Sequence, residues 1–112
     1  MTTVCFLKRD GEIVGFDISG HTGAGLNGSD ILCAAVSSAA YLTANTITDV
    51  IGSDADVSVS DGRMKLVIKT APGETAGAIL KGFKLHMMQL RSQKPGNIRI
   101  LQINTGKEHY YA

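Results

Sequence analysis

Two side chains in this chain could do thiol chemistry together. His21 sits in a glycine-rich loop, and Cys33 follows twelve positions later at the head of an apolar, alanine-rich run. An imidazole can take the proton of a thiol and leave a nucleophilic thiolate. A helix expected from about Asp30 to about Asp49 puts Cys33 in its first turn or just beyond. Unpaired N–H groups and the helix dipole favour an anion there. Cys5, mid-strand, lacks that help and serves as an internal comparison. A plainer reading stands beside this one: a cysteine in an alanine-rich helix is often a small core hydrophobe, and a loop histidine is commonly a solvated surface residue.

Asp30 shares a helix face with Cys33 at i−3. Ionised beside the thiol, it would raise the thiol pKa. Accepting a hydrogen bond from the His21 ring, it would orient that ring and favour the imidazolium. It is equally well placed to cap the helix, as is Ser29. Ser37, one turn after Cys33, can hydrogen-bond within such a site or back to its own helix.

Other chemistries fit less well. Gly23-Ala24-Gly25-Leu26-Asn27-Gly28 matches the G-x-G-x-x-G dinucleotide pattern between a strand and a helix. However, the strand before it reads as half of a hairpin, and the acidic residue about twenty positions on, Asp49, falls at a helix end. His86 and His109 have no evident partner, and no Cys-x-x-Cys, His-x-x-x-His or dense carboxylate cluster offers a metal site. No metal and no cofactor are expected.

The elements that must position these residues read as strand-strand-helix-strand-strand-helix-strand. Thr2–Lys8 and Glu12–Ser19 alternate around an Asp10-Gly11 turn. In the second run Val14, Phe16 and Ile18 share one face, opposite Ile13, Gly15 and Asp17. The first helix is apolar nearly all round and needs cover on more than one side. Val57 and Val59 alternate with serines before an Asp61-Gly62 turn, and Met64, Leu66 and Ile68 alternate after it. Pro72 opens a second helix whose Ala76, Leu80, Phe83, Met87 and Leu90 recur at helical spacing until Pro95-Gly96. Ile98–Ile103 makes a last strand, and residues 105–112 read as a mobile tail. This predicts an α+β domain over residues 1–112: a two-layer sandwich of one mixed sheet and two helices.

Composition bounds the function. At 112 residues and 44% hydrophobic content the chain is one ordinary globular domain. A net charge of +1 gives no electrostatic footprint for nucleic acid. Ile31–Thr48 carries no charge and reaches the lower length limit of a membrane span, but Ser37, Ser38, Thr43, Asn45, Thr46 and Thr48 make it polar for one. Met1-Thr2-Thr3-Val4 leads straight into a strand pattern, with no signal-peptide signature. The expectation is a cytoplasmic protein with reduced thiols and neither a membrane nor a nucleic-acid partner.

Gly20-His21 followed by Gly28-Ser29-Asp30-Ile31-Leu32-Cys33-Ala34-Ala35-Val36-Ser37 resembles the signature of the Prp family, the bacterial ribosomal-processing cysteine proteases. Length and element order agree over most of the chain. The resemblance implies an endopeptidase that removes a short N-terminal extension from a large-subunit ribosomal protein, the one numbered twenty-seven. By position, Cys33 matches the family's nucleophile, His21 its general base and Asp30 an acidic position. Gly23 to Gly28 matches a segment that closes on substrate. The implied substrate-facing set is Gly20, Thr22, Gly23, Gly25, Gly28 and Ser37. Family members form homodimers, which would also cover the first helix. The chain departs from the family at Thr22, where a small Ala is usual, and at Ala24-Gly25-Leu26-Asn27; these bear on substrate fit. The alternative is a non-catalytic ribosome-associated module in which Cys33 is core.

Overall fold

A computed structural model describes residues 1–20 and 27–105, apart from the side chains of residues 27–30. The order is β1 (Thr2–Arg9), β2 (Glu12–Ser19), α1 (Asn27–Asn45), β3 (Ala55–Ser60), β4 (Arg63–Ile68), α2 (Gly73–Gln93) and β5 (Ile98–Asn104). The strands form one five-stranded sheet in the order β3-β4-β2-β1-β5. Only the β1–β5 pair is parallel. The mixed sheet, the two helices and the ββαββαβ order are those expected from the sequence.

Alternation explains which faces meet the helices. Val4, Phe6, Phe16, Ile18, Met64, Leu66 and Ile68 turn inward and are buried, with Phe6 opposite Phe16 and Phe16 opposite Leu66. From α2, Phe83 descends onto this surface. Its ring lies 4.8 Å from that of Phe16 and 5.8 Å from that of Phe6, the latter edge-on. Such aromatic contacts add about 0.5–1.5 kcal/mol beyond area burial. Ala76, Leu80 and Met87 complete the buried stripe of α2 at the predicted spacing.

The structure corrects the sequence reading in three places. First, the β1–β2 register skips: Leu7 pairs with Gly15 and Lys8 with Ile13. Val14 is the extra residue of this bulge, so Ile13, not Val14, joins the cluster of Phe16 and Ile18, while Val14 is buried outside that cluster. Second, α1 is covered on one side only. Leu32, Val36, Ala40 and Ala44 face the core, while Ile31 and Leu42 are 71% and 69% exposed. By length and composition Ile31–Ile51 could cross a membrane, and 33% of that window is buried. Third, α1 does not run unbroken to Asp49 but passes into a π-helical segment, Thr46–Ile51. The hydroxyls of Thr43, Thr46 and Thr48 each donate to the carbonyl four residues back, at 2.7–3.0 Å. Such back-bonds disfavour a regular α ladder.

β2 has antiparallel neighbours on both sides. It is therefore not the first strand of a parallel βαβ unit, and the dinucleotide reading of the glycine loop loses its frame. The residues Gly23 to Leu26 themselves lie outside the described residues, as does the tail beyond Thr105.

Gly15 is fixed by a close approach. It pairs with Leu7 on one side and Val67 on the other. A Cβ there would overlap the Leu66 carbonyl oxygen and lie 2.9 Å from its carbon. Backbone cannot yield as a flexible side chain can. Gly15→Ala is expected to destabilise the fold by about 1–3 kcal/mol, measured as a lower urea midpoint with an unchanged m-value.

Candidate active site

The buried stripe of α1 sets the direction of its flank. With Leu32, Val36 and Ala40 facing the core, the neighbouring positions Cys33, Ser37 and Tyr41 form a second row at i, i+4 and i+8. That row is one wall of a cavity of about 340 Å³. Thr2 and Ile18, from the β1–β2 hairpin, contribute to the lining. Val59, Ser60, Gly62 and Met64, from the β3–β4 hairpin, line it as well. Cys33 is half-buried. Its Sγ lies 4.0 Å from the Thr2 hydroxyl, a contact in which either atom can donate. Thr2 is itself 3% exposed and donates its backbone N–H to the Asn97 carbonyl at 2.9 Å.

Gly20 lines the same cavity. It leaves β2 with φ +70°, and a Cβ here would stand 2.9 Å from the Met1 carbonyl oxygen. Its N–H donates to the Gly62 carbonyl at 3.0 Å, tying the end of β2 to the tip of the β3–β4 hairpin. The chain position before His21 is thus anchored at the rim of the cavity that Cys33 lines. Of the sequence-predicted residues, Gly20, Cys33 and Ser37 come together here. His21, Thr22, Gly23 and Gly25 lie outside the described residues. Gly28 and Asp30 fall within α1, but their surroundings are also outside the described part.

The helix start differs from the sequence expectation. α1 includes Asn27, so Ser29 and Asp30 are helical positions and not caps. Cys33 is the seventh residue, one turn past the first four N–H groups that a helix leaves unpaired. The dipole effect falls off within the first turn. The helix dipole therefore does little for a thiolate at Cys33.

The two cysteines sit in unlike surroundings. Cys5 is opposite Asp17 on the sheet face turned away from the helices. Burial and then the Asp17 carboxylate push its thiol pKa up. Asp17 also receives a bidentate pair from Arg63, at 2.7 and 3.1 Å. Arg63 is the charged residue among those lining the Cys33 cavity, and its guanidinium is spent on this exposed pair. The described walls are otherwise neutral: apolar side chains, hydroxyls and glycine backbone, which suits an uncharged peptide segment.

Thr2, Tyr41 and the hairpin residues Val59 to Met64 had not been singled out for the site. Nothing local could have marked them. Thr2 is 31 positions from Cys33, and only the pairing of β2 with β4 brings the Asp61-Gly62 turn beside Gly20.

Solved structures share this fold. The protein SMU.848 from Streptococcus mutans superposes with a TM-score of 0.82 at 22% identity, over 94% of this chain and 96% of that one. An essential ribosomal processing protease, Prp from S. aureus, crystallised with a substrate peptide, gives 0.83 at 23% identity over 92% and 100%. The same protease with a covalently linked product peptide gives 0.81 at 24%, again over 92% and 100%. No curated protein sequence matches the chain. The model of the family described as cysteine protease Prp matches residues 1–99, which span both hairpins, both helices and the start of β5. The chain therefore belongs to the Prp family of cysteine proteases.

Proposed function

We propose that Cys33 is the nucleophile and His21 the general base of an endopeptidase acting at this cavity. The observation that carries the reading is the shared cavity. Gly20, which hands the chain directly to His21, and Cys33 line one cavity although they come from different elements.

The steps follow from the two groups. The His21 ring takes the Cys33 proton, and the thiolate attacks the scissile carbonyl carbon. As the tetrahedral species collapses, the C–N bond breaks and the imidazolium gives its proton to the leaving amine. Water, deprotonated by the same ring, then cleaves the thioester and restores the thiol. Asp30 acts by orienting His21 and stabilising its charged form. The described walls present hydroxyls from Thr2, Ser37 and Ser60 to a bound backbone.

The substrate in this proposal is the precursor of a large-subunit ribosomal protein, the twenty-seventh, cut at an N-terminal extension. The S. aureus relative supports it as a ribosomal processing protease seen with a substrate peptide. A homodimer in the cytoplasm belongs to the same reading; the exposed Ile31 and Leu42 of α1 are available to a second copy.

Three results are expected on a peptide spanning such an extension. Cys33→Ala abolishes cleavage, His21→Ala lowers kcat by about 10²–10⁴-fold, and Cys5→Ala keeps wild-type turnover. Full activity in either of the first two variants would overturn the dyad. Alkylation with iodoacetamide at pH 7 gives an independent check. Cys33 should react first, because the Cys5 thiol is held protonated by burial and Asp17. Asp17→Asn removes the carboxylate that raises the Cys5 pKa and should speed Cys5 labelling. Faster labelling of Cys5 than of Cys33 in the wild-type protein would count against an activated Cys33.

A further inference from the structure

Charge is segregated along this chain. Residues 1–70 carry five Lys or Arg against eight Asp or Glu, and residues 71–112 carry six against two. Residues 75–105 contain Lys81, Lys84, Arg91, Lys94 and Arg99 and no carboxylate at all. Residues 49–61 are the reverse, with Asp49, Asp54, Asp56 and Asp61 and no cation. The net +1 that argues against a nucleic-acid partner is the average of these two blocks.

The fold turns the sequence blocks into opposite edges. β3 ends the sheet on one side and carries Asp56, with Asp54 and Asp61 flanking it. β5 ends it on the other side, with α2 packed beside it. Lys84 Nζ donates to Gln102 Oε1 at 3.0 Å, which joins helix and strand at that edge. Lys81, Lys84 and Arg91 follow one another at i, i+3 and i+10 along α2, and Lys94 caps its end. The run from Lys81 to Lys94 spans about 20 Å. Arg99 alternates with Ile98 and Ile100 and so lies on the far flank of β5. Lys81, Lys94 and Arg99 are exposed, and Lys84 and Arg91 half-buried.

None of these cations is in an ion pair among the described residues. Among the described residues the ion pairs are Arg63–Asp17, Lys69–Asp54 and Lys69–Asp56, all outside the α2–β5 edge. Glu12 and Glu74, at the N-terminal end of α2, line one cavity with Lys8, Lys81 and Lys84, while Arg91, Lys94 and Arg99 lie outside it. Exposed Gln89, Gln93, Gln102 and Asn104 lie between the cations. Amide side chains of this kind supplement Lys and Arg on phosphates and sugars.

We propose that the α2–β5 edge is a docking surface for duplex RNA. A ridge with cations on both flanks fits a wide, shallow minor groove bordered by two rows of phosphates. A flat anionic membrane fits it less well, because the exposed Leu101 and Ile103 point away from the helix face that holds Leu85 and Met88. None of the residues lining the Cys33 cavity belongs to α2 or β5. RNA on this edge therefore leaves that cavity open. The inference goes beyond the protease reading and does not depend on Cys33 being the nucleophile.

The test is fluorescence anisotropy of the full chain with a labelled RNA hairpin of about 16 base pairs, titrated between about 50 and about 200 mM KCl. Wild-type protein should bind with an affinity that falls steeply with salt. Lys81→Ala/Lys94→Ala/Arg99→Ala should weaken binding about tenfold or more and flatten the salt slope by about 1 per cation removed. The control Lys65→Ala/Lys69→Ala removes charge near the acidic edge and should bind as wild type. Thermal unfolding establishes that each variant is folded. The triple variant should cleave a short peptide at the wild-type rate. Absence of RNA binding at about 50 mM salt, or an equal loss in the control, overturns the proposal. So does capture by phosphatidylserine vesicles without RNA binding.

Discussion

The contact on which the rest of this structure depends is Phe83 of α2 set against Phe6 and Phe16 of the sheet. It joins β1, β2 and α2 in one place. Truncating a buried Phe to Ala costs about 3–5 kcal/mol, a large part of the about 5–15 kcal/mol that holds a domain folded. With α2 seated there, Ile98 and Ile100 extend the same inward face along β5, and α1 takes the rest of the layer beside α2.

That seating leaves α1 half-covered. Its Leu32–Val36–Ala40 stripe reaches the core, and the next row, Cys33–Ser37–Tyr41, falls at the border between helix and sheet. A thiol on the border is open to solvent on one side and held by packing on the other. Cys5 is half-buried too. It lies on the opposite face of the sheet beside a carboxylate that opposes its ionisation. The two hairpin ends close the border from the other side through the Gly20–Gly62 hydrogen bond.

Much of this was legible in the sequence because it depends on neighbours in the chain. Alternation gave the strands, 3.6-residue spacing gave α2 almost to the residue, and the Asp-Gly turns gave both hairpins. The Gly-His and Asp-Ile-Leu-Cys-Ala-Ala-Val-Ser strings pointed to the family that the chain belongs to. The bulge at Val14 was not legible, since a register skip is set by the partner strand. Nor was the entry of α1 at Asn27. Local capping preference favoured Ser29 or Asp30, and the observed helix includes both.

By itself the sequence determined the elements, their order and the two candidate reactive residues, because each follows from local periodicity or from a contiguous motif. Only the tertiary structure decided that Thr2, Gly20, Cys33 and the β3–β4 turn share one cavity. It also decided that the acidic and basic blocks of a nearly neutral chain end on opposite edges of the sheet. The reason is the same in both cases. Strand order is fixed by which faces can be buried together, and that is a property of the whole core, not of any one segment.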